Sequence, residues 1–368
     1  MARIELKNIK KKFWRGVAVK DFSLEIADGE LCVLAGPSGC GKTTVLRIIA
    51  GLTNPTEGQV LIDGEDVTDM PAKARDVAMV FQNFALYPHM KVYDNLAFGL
   101  KMRKMPAELI TMRVQETAEM LGITEMLEKW PRELSGGEKQ RVAVGRAIVR
   151  KPKLFLFDEP FSNLDEKLRV KMRYEIKNIH EHLKNTILYV THDQTEAMML
   201  GDRICLMKEG TAVQMAAPMG LYNQPANIFA AGFFGFPPMK LLKAGILKED
   251  GVYFISMDTL KLRLPDNMKE KIAPYENSGV IFGVRAEDIL LKDEYTKKIE
   301  GNSVNASVII VEPMGPESHV HINTGNNTFI MRAKQKDPAD AVKPGQQIDI
   351  VFDMDKILLF DPKTEKAL

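Results

Sequence analysis

Residues 31–51 read LCVLAGPSGCGKTTVLRIIAG, and the order of residue types in this stretch decides the reading of everything around it. An apolar run at 31–35 leads into Gly36-Pro37-Ser38-Gly39-Cys40-Gly41-Lys42-Thr43, and Thr44 begins a periodic apolar stretch. A continuous apolar run bounded by glycine fits a strand buried on both faces, and the later spacing fits a helix. The glycines between them let the backbone wrap closely round an anion, so that successive amide N–H groups converge on phosphate oxygens. The positive end of the following helix adds to that attraction. In this arrangement Lys42 brings a mobile charge to the β- and γ-phosphates, and the Thr43 hydroxyl can ligate Mg²⁺. The order of glycines differs from the GxGxxG dinucleotide turn, which excludes NAD.

Working outward, VAMVF (77–81), KLFLF (153–157), TILYV (186–190) and ICLM (204–207) repeat the buried-strand pattern. Helix-like periodicity lies between them, at 107–122 and 138–150. Strand–helix alternation predicts an α/β domain with a mostly parallel sheet. After Pro237-Pro238 the pattern changes to closely spaced strand-like segments from GVYFISM to QIDIVFDMDKILLF, separated by Gly, Asn and Asp. Those predict a small antiparallel barrel or sandwich. The expected division is therefore 1–235 and 236–368, with a helical insertion at about 85–135 inside the first part.

The chain has 368 residues, 50 of them basic and 49 acidic, for a formal net charge of +1. A balance so close to zero excludes a protein whose main work is coating nucleic acid or an anionic membrane. Three cysteines (Cys32, Cys40, Cys205) are too few for a disulfide framework and fit a reducing compartment. The N-terminus lacks the apolar core of a signal peptide. The longest apolar stretch, at 228–239, is short for a membrane span and is broken by Gly and Pro.

Two further motifs carry chemistry. In KLFLFDEP (153–160), Asp158 ends a buried strand, where a carboxylate can hold the Mg²⁺ shell. Glu159 lies one residue further on, where it can orient and polarise a water. In LSGGE (134–138), Ser135 with Glu138 forms the sequence of a capping box, which needs no ligand. Gly136 and Gly137 are poor helix formers, and fit a backbone that something must approach closely.

Together GPSGCGKT, LSGGE, LFLFDEP, the SNLD of 162–165 and the lone His192 in YVTHD resemble the ATP-binding subunit of an ABC transporter. The segment 80–100 and the C-terminal FFGFPPM, GVRAEDI and VEPMGPE are similar to the ATPases of bacterial sugar importers. The resemblance spans essentially the whole chain. It implies an ABC-type P-loop ATPase domain with a helical insertion, followed by an all-β, OB-like regulatory domain. ATP and Mg²⁺ are the implied cofactors, and Phe13, with Trp14 beside it, would stack on adenine. Gln82 would contact Mg²⁺ or the attacking water, and His192 would hold the γ-phosphate and position Glu159. Ser135, Gly136 and Gly137 would act on the ATP of a second chain, with Asp165 coupling the two sites of a homodimer.

The implied partners are two transmembrane permease subunits and, through them, an extracytoplasmic substrate-binding protein, with the ATPase peripheral to the cytoplasmic face of the membrane. The LYPHM segment of the insertion would dock on the permeases. Carbohydrate or glycerol phosphate is the implied cargo, with polyamine, iron or oxyanion as alternatives. Asn163, Ala286 and Lys240 stand where the family more often has Ala, Pro and Asn. A soluble ABC ATPase acting on DNA or ribosomes fits less well, because there is one set of motifs and no heptad run. A P-loop GTPase fits least, because the Asn-Lys-x-Asp guanine motif is missing and LSGGE would have no task.

Overall fold

The computed structural model describes residues 2–162, 164–292, 302–334 and 342–368, and the chain divides into two compact units, Met1–Gly220 and Leu221–Leu368. In the first unit the strands are β1 (Ile4–Phe13), β2 (Gly16–Ile26), β3 (Leu31–Ala35), β4 (Glu57–Ile62), β5 (Glu65–Asp66), β6 (Val77–Val80), β7 (Leu154–Asp158), β8 (Thr186–Thr191), β9 (Arg203–Lys208) and β10 (Thr211–Ala216). They form one sheet in the order β5-β4-β1-β2-β10-β9-β3-β8-β7-β6. The apolar runs read as buried strands are β3, β6, β7, β8 and β9, and these pair in parallel with one another. Every residue of β3, β7 and β8 is buried, which is why the three read as unbroken apolar runs.

Register fixes where the chemistry collects. Ala35 pairs with Thr191, Asp158 with Val190, and Val80 with Phe157. The strands that release the Lys42 loop, Glu159, His192 and Gln82 therefore end level with one another, at the carboxyl edge of the parallel sheet.

The helices of this unit are α1 (Lys42–Ile49), α2 (Val92–Met102), α3 (Ala107–Met120), α4 (Gly136–Ile148), α5 (Glu166–Leu183) and α6 (Gln194–Leu200). The insertion at 85–135 contains α2 and α3, and α2 packs on both α3 and α4. Asn95 in α2 is fully buried. Its amide donates to the carbonyls of Tyr87, Met90 and Lys91 and accepts from the Tyr87 N–H. One buried amide thus shapes the whole LYPHM turn.

A wing of antiparallel strands, β1 with β2 and β4, completes the sheet. Its interior joins the P-loop helix: Ile4, Leu6, Ile9 and Phe22 share one core with Val45, Leu46 and Ile49.

In the second unit β11 (Lys240–Glu249), β12 (Val252–Met257), β13 (Leu260–Arg263), β14 (Gly279–Val284) and β20 (Leu358–Phe360) make one five-stranded sheet. A second contains β15 (Ile289–Leu291), β16 (Ser303–Pro313), β17 (Glu317–Thr324), β18 (Asn327–Lys334) and β19 (Gln347–Phe352). Every pairing in both is antiparallel, and one apolar core, including Phe282, Phe329 and Phe352, is drawn from both sheets. The unit starts at Leu221, ahead of the boundary at 235 suggested by the prolines. The reason is packing: after α7 (Pro218–Asn223), the short helix α8 (Ile228–Phe233) sets Ala231 against Met239 and Phe360.

Candidate active site

The glycine loop is built as a cradle. Helix α1 begins at Lys42 directly after Gly41, which sits at φ +109°. A Cβ on Gly41 would lie 2.6 Å from the Ala18 carbonyl oxygen, so no larger residue fits. Pro37, Ser38 and Gly39 are exposed, whereas Gly36 and Cys40 are buried. Burial pushes the Cys40 thiol upward, although Lys42 pulls the other way. Lys42 is almost fully buried, and its ammonium donates to the carbonyls of Gly36 (2.8 Å) and Pro37 (2.9 Å). Its charge is thereby held at the centre of the loop, with Thr44 following on α1.

Beside it the Thr43 hydroxyl donates to Asp158 Oδ1 at 2.9 Å. Burial raises the Asp158 carboxyl above its usual range, opposed by the Thr43 donor, Arg47 and Lys42. A hydroxyl and a carboxylate oxygen in contact form a hard donor pair. Mg²⁺ is suited to such a pair, because it keeps waters and phosphate oxygens for its remaining positions. Among the described residues no group of three or more His, Cys, Asp or Glu side chains forms a cage by itself.

The Glu159 carboxylate accepts through Oε2 from His192 Nδ1 at 3.0 Å. The Glu159 carboxylate is mostly buried and the imidazole half exposed. The backbone of Glu159 lies at φ +45°, a left-handed conformation that costs a non-glycine residue roughly 1–2 kcal/mol. Its N–H donates to the Val190 carbonyl at 3.0 Å, which clamps this turn onto β8. Gln82 donates to the Ser162 hydroxyl at 3.1 Å, and that hydroxyl donates to the Glu159 carbonyl at 3.1 Å. Ser162 is thus a link absent from the sequence reading. Its position three residues past Glu159, in a turn, is the signal that could have found it.

Lys42, Thr43, Asp158, Glu159, His192 and Gln82 therefore come together. Phe13 and Trp14 stand at the β1–β2 hairpin, both exposed, with Lys11 over the Phe13 ring and Arg15 over Trp14. The Asp165 carboxylate caps α5 through the Leu168 N–H. Ser135 and Glu138 make the reciprocal capping box read from the sequence, at 3.4 and 2.7 Å. Asn163 lies outside the described residues.

The two glycines of LSGGE turn out to differ. Gly136 is exposed and a Cβ there would meet only Leu164, at an ordinary 3.6 Å. Gly137 is buried, and a Cβ there would lie 2.6 and 2.7 Å from the two Leu168 methyls. Close packing against Leu168 of α5 accounts for the missing side chain of Gly137 within one chain, whereas nothing of this kind constrains Gly136.

Residues 19–162 match the ABC transporter family. Over the full length of both chains the protein is 49% identical to the trehalose/maltose import ATP-binding protein MalK of Thermococcus litoralis. The chain belongs to the ABC transporter ATP-binding proteins. As members of this family do, it binds and hydrolyses ATP. This ABC ATPase is also 45% identical, again over both full lengths, to the multiple sugar-binding transport ATP-binding protein MsmK of Streptococcus mutans. Residues 235–289 match the MalK OB fold domain and 282–360 the TOBE domain, in agreement with the all-β second unit. Among solved structures it is similar to a dimeric post-hydrolysis state of the ATP-binding cassette MJ0796 bound to ADP and Pi. That likeness has a TM-score of 0.53 at 33% identity, covering 58% of this chain and 98% of the other.

Proposed function

We propose that this ATPase drives the import of a carbohydrate across a membrane, working as a homodimer in which each ATP lies between two chains. The observation that carries the hydrolytic part is the level ending of β3, β7 and β8. It sets the Lys42 cradle, the Thr43–Asp158 pair and the Glu159–His192 pair side by side. In this reading the backbone of the exposed Pro37–Gly39 segment and Lys42 bind the phosphates, and Thr43 and Asp158 hold Mg²⁺, which neutralises phosphate charge. Glu159 orients the attacking water and His192 fixes Glu159 through Nδ1, leaving Nε2 for a phosphate oxygen. Gln82, tied through Ser162 to the Glu159 backbone, would contact Mg²⁺ or the attacking water.

Support for a shared site comes from exposed cap residues and from a dimeric neighbour. Ser135 and Asp165 make their hydrogen bonds within their own helix caps, and the MJ0796 cassette is dimeric. Phe13 takes the adenine ring. Support for carbohydrate as cargo comes from the sugar-import names of MalK and MsmK and from the MalK-type OB unit. Because the relatives MalK and MsmK are named as import and transport ATP-binding proteins, we assign the membrane crossing to two permease subunits. These would be contacted through the LYPHM turn at the cytoplasmic face, and would be served by a separate substrate-binding protein.

The test is Glu159→Gln. It should bind ATP with near wild-type affinity while steady-state turnover falls by about 10²-fold or more. Wild-type turnover in that variant removes Glu159 from the water-orienting role.

A further inference from the structure

The turn that carries His192 is held from below by residues that the assigned chemistry does not use. Thr191 and Asp193 flank His192. The Thr191 hydroxyl donates to Glu196 Oε2 at 2.8 Å and accepts from the Asp193 N–H at 3.0 Å. Tyr189 donates to the same Glu196 oxygen at 2.9 Å. Asp193 in turn caps α6, accepting from the N–H groups of Thr195 and Glu196. The two carboxylates on this turn share one cation. Arg169, from the first turn of α5, donates from Nη1 to Asp193 Oδ2 at 3.2 Å and brings Nε to 3.8 Å from Glu196 Oε1.

The same guanidinium reaches a second loop. Its Nη2 donates to the Leu164 carbonyl at 3.3 Å, directly before Asp165, and Glu166 Oε2 lies 3.5 Å from Nη1. Leu164 is itself buried, and its N–H donates to the Phe161 carbonyl, two residues past Glu159. One side chain therefore ties the segment that leaves Glu159 to the turn that carries His192. These two segments bear the two halves of the Glu159–His192 pair, so their spacing sets the 3.0 Å contact.

We propose that Arg169 is a positioning residue for ATP hydrolysis: by bridging Asp193 and Leu164 it holds His192 Nδ1 against Glu159. The proposal rests on the assignment of Glu159 and His192 as the hydrolytic pair. A guanidinium suits the task because its planar fork serves several acceptors at fixed angles, which the point charge of a lysine cannot do. Displacing a water-orienting pair by about an ångström can cost on the order of 10²-fold in turnover while leaving phosphate binding alone.

The experiment measures steady-state ATP hydrolysis by purified full-length Arg169→Ala, Arg169→Lys, Asp193→Asn and the Arg169→Ala/Asp193→Asn double variant, with His192→Ala as reference. Arg169→Ala is expected to lose roughly 10- to 100-fold in kcat with KM for ATP within about threefold of wild type. Arg169→Lys should recover part of that loss, and the double variant should lose no more than the worse single one. Unchanged kcat in Arg169→Ala, or kcat losses that multiply in the double variant, overturns the proposal. If Arg169→Ala does not fold, the Arg169→Lys kcat-to-KM split decides, because equal losses in both parameters, or none, contradict positioning. A His192→Ala variant with full turnover overturns instead the hydrolytic assignment on which the proposal stands.

Discussion

Gly137 and Gly136 are neighbours in one motif and should respond in opposite directions to the same added methyl group. At Gly137 an alanine Cβ meets Leu168 Cδ2 at 2.6 Å, Cδ1 at 2.7 Å and Cγ at 3.1 Å. These contacts are far inside van der Waals separation, so Leu168 must leave its rotamer or α4 must move away from α5. Overpacking of this kind costs about 1–3 kcal/mol. Against it stands the gain in helix propensity on replacing glycine, about 1 kcal/mol in a helix interior and less at its first turn. The net expectation for Gly137→Ala is a loss of about 1–2 kcal/mol. At exposed Gly136 only the propensity gain operates, so Gly136→Ala should be neutral or stabilising by up to about 1 kcal/mol. The assay is urea unfolding of the nucleotide-free protein, following the transition of the first unit. Leu168→Ala supplies the control. It removes the three clashing atoms, so Gly137→Ala should be less costly in the Leu168→Ala background than in wild type. If the cost is the same in both backgrounds, or if both glycines tolerate alanine equally, packing against Leu168 does not explain Gly137.

Two further stability measurements probe parts of the fold remote from that helix. Arg75 is buried and donates to the carbonyls of Met70, Ile48, Ile49 and Thr68, at 2.7 to 3.0 Å, two of them at the C-terminal end of α1. Arg75→Met should destabilise the first unit by about 2–4 kcal/mol in urea unfolding, because four carbonyls lose their donor and α1 loses a cation at its negative end. In the second unit burial pushes the Asp288 carboxyl up to about 6, with Glu287 and Asp353 adding to the shift and Lys356 opposing it. The folded state then holds this proton more tightly than the unfolded chain, so Asp288 contributes less stability as pH rises from about 4 to about 6. Asp288→Asn should lose that dependence, and the difference in unfolding midpoint between variant and wild type should grow in favour of the variant from pH 4 to 6 and then level off.

The parallel half of the sheet and the Lys42 and Asp158-Glu159 motifs were legible because each signal is local, whereas His192 entered only through the family resemblance. Leu154–Asp158 and Thr186–Thr191 are wholly buried, so nothing polar interrupts them, and each gives way to a turn at its carboxyl end. The antiparallel wing was not legible. In β1 the register shifts between Leu6 and Ile9, where Asn8 sits at φ +50°, so the alternation of buried and exposed residues breaks midway. Strand β11 was lost differently. KLLKAGILKE spaces its apolar residues as a short helix would, and only pairing with β12 and β14 decides the matter.

Within the site, Lys42, Thr43, Asp158 and Glu159 follow from motif spacing. The Gln82–Ser162 contact and the Arg169 fastener do not, because both join segments far apart in sequence and only the level strand ends bring them near. The reading of Gly137 as a place of close external approach was incomplete for a similar reason. Leu168 of the same chain also approaches it, which no local pattern announces.

Two chains sharing each ATP site is the claim on which the functional account depends, and mixing two inactive variants tests it most directly. Ser135→Arg spoils what a chain lends to its partner, and Glu159→Gln spoils what it keeps for itself. Each homodimer should be nearly inert. In an equal mixture about half the dimers are mixed, each with one of its two sites intact, so hydrolysis should return to at most about a quarter of the wild-type rate. A mixture as inactive as its two components contradicts the shared site, as does a Ser135→Arg protein that hydrolyses ATP at the wild-type rate.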